Sequence, residues 1–185
     1  INGSKKNVCY VGAITKERGI IEILDAIVNT GENCKLELAG IFADEKIKKD
    51  AMSHPAWKKV IFHGRVSYDE VPSILNRCIA GMVIFHPIAN HINSQPNKLF
   101  EYMAAGLPII ASNFPLWEEI IKNNNIGYHV NPLNPSEIEN AIRQASINNK
   151  FNNDICNNAK QLIRSKYNWE VEFKKLINMY DLVQG

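Results

Sequence analysis

Short apolar runs alternate with helix-like stretches along nearly all of this 185-residue chain, and no other feature restricts its fold as much. Residues 8–11, 36–39, 60–62, 80–85, 107–111 and 127–130 are mostly apolar runs of strand length. Between them, residues 17–29 place Ile20, Ile21, Ile23, Leu24, Ile27 and Val28 on one broad helical face. Further helices are expected at 44–53, 67–76, 97–105, 116–122, 136–148, 153–166 and 168–183. Two of these open on S-x-x-E capping patterns, starting at Ser67 and Ser136. Strands joined through helices by short connections make a mostly parallel sheet with helices on both faces. Right-handed crossovers then give an α/β, doubly wound, Rossmann-like sandwich. One such domain fills residues 8–185, and the polar residues 1–7 read as a linker or N-terminal extension.

A sheet of this kind holds its ligand outside the carboxyl ends of its strands. The candidate site is therefore built from loops 12–19, 40–44, 63–67, 86–97 and 112–116. QPNKLFEYMAAGLPIIASNFP, residues 95–115, reads as a turn, a short helix, a break at Gly106 and an apolar strand. Unpaired N–H groups and the positive dipole end of that helix favour an anion such as a diphosphate, so a nucleotide is the expected ligand. Pro96 sets the entry to the helix, Asn97 can cap it, and Lys98 adds a point charge. Glu101, one turn in, suits hydroxyl donors such as the two ribose hydroxyls. The same carboxylate also fits a plainer role, complementing the dipole and pairing with Lys98 at i, i+3.

In VGAITKERG, Gly12 permits close backbone approach, and Lys16 and Arg18 offer cations to a phosphate. A tight turn with solvated charges explains the same residues. In FHGRVS, backbone groups past Gly64 could read a base edge, and Arg65 could stack or meet a phosphate. A plain strand-to-helix turn uses them equally well.

Other classes find little support. The formal net charge of +2 supplies no basic field for nucleic acid. Paired lysines such as Lys58-Lys59 read as solvated faces. Cys9, Cys34, Cys78 and Cys156 are too scattered for a metal motif or a disulfide framework, which points to a reducing, cytoplasmic setting. Cys9 and Cys78 are expected to be buried thiols. His86 and His91 share a candidate loop without a matching third metal ligand. No apolar run is long enough to span a bilayer. Trp169, Phe173 and Tyr180 recur at helical spacing and read as core.

Taken in order, the segments resemble the C-terminal, donor-binding half of a GT-B glycosyltransferase of the retaining family 4. VGAITKERGI resembles that family's VGRLxxEKG, and VIFHGRVSYDEVPSILNRCIAGMVIFHP resembles its VxFxGxVxxxELxxLYxxADxxVxPS stretch. PNKLFEYMAAGLPIIAS resembles the most diagnostic block, and EEIIKNNNIGYHVNPLNPSEIENAI and YNWEVEFKKLINMYDLV resemble the closing segments. The resemblance covers nearly the whole chain, and its ordered series of motifs is what makes it specific.

By position, the resemblance implies that Glu101 is the second Glu of E-x7-E, holding the ribose, and that Arg18 is the diphosphate ligand of the EKG segment. It makes Glu101 and Arg18 the catalytic pair. Asn97, Lys98 and Leu99 match the stretch whose backbone N–H groups meet the diphosphate, with Pro96 just before it. Arg65 and Val66 fall where the base is read, and Glu119 matches the Glu after the post-motif loop. Two positions depart from the pattern. Asn93 stands where the first Glu contacts the donor sugar, and Ala13 replaces the Arg of VGR, leaving Lys16 as a substitute cation.

The implied activity is hexosyl transfer from a nucleotide-sugar, UDP- rather than GDP-linked, in polysaccharide or glycoconjugate synthesis, with no metal or cofactor. A glycan or lipid-linked acceptor would be met through an N-terminal domain of a longer chain. This half alone is expected to be inactive, and to work in the cytoplasm, if at a membrane then peripherally at its inner face. The alternatives are a non-catalytic nucleotide-sugar-binding module and a fragment of a GT-B nucleotide-sugar epimerase.

Overall fold

The computed structural model describes residues 6–147 and 149–184. Residues 1–5 of the expected linker lie outside these, as does Asn148, the expected end of the helix from Ser136. The elements are β1 (Asn7–Val11), α1 (Ile20–Asn29), β2 (Leu36–Ala39), α2 (Glu45–Met52), β3 (Val60–Gly64), α3 (Val71–Leu75), β4 (Cys78–Val83), α4 (Ala89–Ile92), α5 (Asn97–Ala105), β5 (Ile109–Ser112), α6 (Pro115–Asn123), β6 (Gly127–Val130), α7 (Pro135–Ile147), α8 (Asn149–Ser165) and α9 (Trp169–Gln184).

The six strands form one sheet in the order β3-β2-β1-β4-β5-β6. Every pairing is parallel, with Val8 beside Leu36 on one flank and Ala80 on the other. The chain winds outward from β1 to β3, then returns to β4 beside β1 and winds the other way. The crevice between the carboxyl ends of β1 and β4 is thus the topological switch point, where such sheets take their ligands.

Two apolar layers hold the sheet. One face carries Val8, Tyr10, Leu38, Met82 and Ile84 against Ile20, Ile23, Leu24 and Ile27 of α1 and Ile138 and Ile142 of α7. The other carries Cys9, Val83, Ile109 and Ala111 against Leu99, Tyr102 and Met103 of α5 and Trp117 of α6. Each fully buried Ile or Leu contributes roughly 1.5–3 kcal/mol of transfer free energy. These layers therefore fix the strand ends from which the loops project. Cys9 and Cys78 are buried as expected.

Local chemistry differs from expectation in four places. The helix read from residue 17 begins at Ile20, because Lys16–Arg18 form a 3-10 turn closed by left-handed Gly19. A Cβ on Gly19 would lie 2.2 Å from the Ile84 carbonyl oxygen, so glycine is required there twice over. The capping pattern at Ser67 forms, with Glu70 accepting the Ser67 N–H at 2.7 Å. The one at Ser136 does not: Asn134 accepts the Ser136 N–H, and Glu139 pairs with Arg143 instead. Lys59 is no free solvated charge, since its Nζ donates to the carbonyls of Ile27, Val28 and Thr30 at the end of α1.

The last correction concerns α9. Trp169, Phe173 and Tyr180 are 71%, 47% and 58% exposed, so they are not core among the described residues. No helix there is long and apolar enough to cross a membrane.

Candidate functional site

A cavity of about 710 Å³ opens at the switch point, within the usual range for small-molecule sites. Gly12 and Ala13 follow β1, Gly40 and Ile41 follow β2, and Arg65 and Val66 follow β3. Phe85 follows β4, and residues 95–98 with Glu101 open α5. The loops after β1 and β2 touch so closely that a Cβ on Gly40 would lie 1.9 Å from the Gly12 carbonyl oxygen. Backbone with φ of +151° at Gly40 and +129° at Gly12 is open only to glycine.

Hydrogen bonds lock these walls together. The Tyr102 hydroxyl of α5 accepts the Val11 N–H at 3.0 Å, pinning the helix to the end of β1. Ser112, fully buried at the end of β5, accepts the Phe85 N–H at 2.8 Å and donates to the Phe85 carbonyl at 2.7 Å. The His86 N–H donates to the Glu17 carbonyl at 2.7 Å, joining the loop after β4 to the loop after β1. The Tyr10 hydroxyl donates to the Ala13 carbonyl at 2.6 Å, and burial pushes its pKa well up, so it stays a neutral donor.

Lys98 is the unusual member of the site. Its side chain is 6% exposed, and its Nζ has no hydrogen-bond partner among the described residues. The nitrogen sits 3.5 Å from the centre of the Tyr10 ring and 5.3 Å from that of Phe85. It packs on Gly12, where an added Cβ would be 3.3 Å away. Burial pushes its pKa well below the ordinary lysine value; the Arg18 guanidinium adds to this, while Glu101 and Cys9 oppose it. Arg18 itself lies 5.3 Å from the Phe85 ring centre, so both side chains approach one aromatic ring. Helix α5 begins at Asn97 with no side chain capping its first amides. An amine without a hydrogen-bond partner, a guanidinium and a helix N-terminus without a side-chain cap thus converge on one cavity, the arrangement a diphosphate satisfies.

The structure brings together Gly12, Arg18, Arg65, Val66, Pro96, Asn97, Lys98 and Glu101. It does not bring four others into that wall. Lys16 is exposed on the 3-10 turn and does not line the cavity, so the second cation beside Arg18 is Lys98. Asn93 is exposed just after α4. Leu99 is fully buried in the core, and its N–H is already donated to the Pro96 carbonyl at 3.0 Å. Glu119 is exposed and lines a neighbouring cavity with Phe100, Tyr167 and Trp169, which meets the first one at Gln95. Asn97 is the first helical residue, and the cap position belongs to Pro96.

Tyr10, Phe85, Gln95 and the 80%-exposed Tyr68 are site residues that the sequence did not mark. Tyr10 and Phe85 sit in strand-like apolar runs and carried no signal beyond core. Tyr68 follows the Ser67 capping pattern and could have been noticed as an aromatic in a ligand-side loop.

Known proteins share this fold. The model of the family described as Glycosyl transferases group 1 matches residues 1–162. The lipopolysaccharide 1,2-N-acetylglucosaminetransferase of Salmonella typhimurium is 30% identical, over 87% of this chain and 44% of its own length. The C-terminal domain of a glycosyl transferase group 1 family protein from Francisella tularensis superposes with a TM-score of 0.71 at 20% identity, covering 88% of this chain and 86% of that one. Anabaena HepE in complex with UDP and glucose superposes with a TM-score of 0.81 at 15% identity, over 96% of this chain and 48% of that one. The chain spans just under half the length of the curated relatives it matches.

Proposed function

The chain belongs to the group 1 glycosyl transferases, with the fold of a C-terminal GT-B half, and from that premise we propose that it binds the nucleotide-sugar donor of a retaining hexosyl transfer. The donor is a UDP-sugar, and the products are polysaccharides or glycoconjugates. The observation that carries this reading is the convergence of Lys98, Arg18 and the uncapped start of α5 on the switch-point cavity, with Glu101 one turn deeper. Solved UDP complexes of a protein of the same fold, and an N-acetylglucosaminyl transferase relative, support it.

In the reaction, the bond from the anomeric carbon to the diphosphate oxygen breaks, and negative charge grows on the departing diphosphate. Lys98, Arg18 and the first amides of α5 stabilise that charge in place, which is electrostatic catalysis by preorganised groups. Glu101 accepts hydrogen bonds from the ribose hydroxyls. Arg65, Val66 and Tyr68 flank the base. None of these roles calls on a metal. The acceptor, a glycan or lipid-linked sugar, is presented by a further domain, so this half alone binds donor without turnover.

Calorimetric titration with UDP and with GDP tests the reading. Binding of UDP in preference to GDP, lost or weakened at least tenfold in Glu101→Ala, is the expected result, since two charge-assisted hydrogen bonds contribute about 1.5 kcal/mol or more each. Failure of both nucleotides to bind would overturn the donor reading. Equal binding by wild type and Glu101→Ala would remove the ribose role.

A further inference from the structure

Lys98 combines two properties that conflict in the protein alone. It is nearly sealed from water, and its nitrogen finds no acceptor. The groups packed around it are mostly neutral or repulsive. From β1 come the Tyr10 ring and the Cys9 thiol, both held protonated by burial. From the turn after β1 comes the Arg18 guanidinium, which repels an ammonium. From α5 itself come Glu101, whose carboxylate favours the charged form, and the Tyr102 hydroxyl, held protonated by burial. The ring of Phe85 closes the end of β4. Cation–π attraction to Tyr10 and Phe85 offsets part of the loss of hydration but supplies no hydrogen-bond acceptor.

We infer that binding of the donor diphosphate draws one proton from solution onto Lys98, so that donor affinity in this chain is linked to pH. The inference rests on the donor reading above. A neutral amine at this position avoids the cost of an unpaired buried charge. A diphosphate changes both sides of that balance. It brings negative charge against the Nζ and supplies acceptors for its N–H groups, so the ammonium becomes the favoured form. Lys98 then acts as the cation that the Ala13 position lacks, and the arriving donor shifts it toward the charged form. Where the amine is neutral in the free chain, affinity falls as pH rises, by up to about tenfold per pH unit for one proton.

The test is titration of the 185-residue chain with UDP-glucose in buffers of different ionisation enthalpy, from about pH 7 to about pH 8.5, below the range in which the uracil N3–H itself ionises. Both phosphates of UDP-glucose are esterified, so the ionisation near pH 6 of a terminal phosphate does not interfere. The dependence of the observed heat on the buffer counts the protons taken up. The expected count rises to between about 0.5 and 1 within this range, and uridine, which lacks the diphosphate, shows none.

Lys98→Arg binds UDP-glucose with no proton uptake, because a guanidinium is charged throughout. Lys98→Met binds it weakly, also without uptake. Wild-type binding with a proton count of zero at every pH overturns the inference and leaves the donor reading intact. Uptake that persists in Lys98→Arg assigns the proton elsewhere and overturns it too. If neither UDP-glucose nor GDP-mannose binds at any pH, the donor reading itself falls, and this inference with it.

Discussion

Replacing Lys98 by Met should make the free chain more stable. Met keeps an unbranched stem of similar length, so the packing against Tyr10, Phe85 and Gly12 is largely preserved. What is removed is a nitrogen that is buried and without a hydrogen bond. Leaving such a group unsatisfied costs about 1–3 kcal/mol, and more while it is charged. The Tyr10 ring at 3.5 Å returns about 1 kcal/mol to the charged form. The net gain on substitution is about 2 kcal/mol near neutral pH, equivalent to roughly 4–8 °C in Tm for a chain of this size.

The sign of its pH dependence follows from the depressed pKa of Lys98. Below that pKa, folded and unfolded chains both carry the proton, and the folded chain bears the full penalty of the buried charge. Between that value and the ordinary lysine value of about 10.4, the unfolded chain binds more protons, so wild-type stability rises with pH. The advantage of Lys98→Met therefore shrinks as pH approaches about 10, down to the part due to the neutral amine. Urea unfolding of both proteins at about pH 7 and about pH 10 reads this directly. A Lys98→Met variant less stable than wild type by about 1 kcal/mol or more at neutral pH would refute the argument, because it would mean that the amine is satisfied where it stands.

Two further substitutions separate the scaffold from the site. Ser112→Ala leaves both the N–H and the carbonyl of Phe85 without their buried partner, and should lower stability by about 1–3 kcal/mol; an unchanged urea midpoint would contradict it. Glu119→Gln should leave UDP affinity within about twofold, since Glu119 lines the neighbouring cavity, which meets that of Lys98 at Gln95 rather than at the α5 start; a tenfold loss in calorimetry would place it in the nucleotide site after all.

The sheet was readable because its strands are short apolar runs punctuated by Gly and polar turns. The bounds of β2, β6 and α5 match the pattern, and with them the location of the ligand edge. Boundaries moved where a single glycine overrides helical periodicity, as Gly19 does before α1. The helical spacing of Trp169, Phe173 and Tyr180 shows that they share a face, but spacing does not say what covers that face; among the described residues they stand exposed.

The site was half legible for a related reason. Residues on the loops at the strand ends could be listed from the pattern, but their partners could not. Lys98 reads in sequence as a surface lysine three residues from Glu101. Only the placement of Tyr10 from β1 and Phe85 from just past β4 against it shows that it is buried and unpaired. Lys16 and Arg18 look equivalent in the loop, yet the 3-10 turn directs only Arg18 into the cavity.

The most direct test of the account is a crystal structure of the chain with UDP. A diphosphate oxygen is expected about 3 Å from Lys98 Nζ, beside Gly12 and the start of α5, with the ribose hydroxyls on the Glu101 carboxylate. Nucleotide bound instead at the opposite end of the sheet, in the cavity lined by Cys34, Cys78 and Cys156, would contradict it.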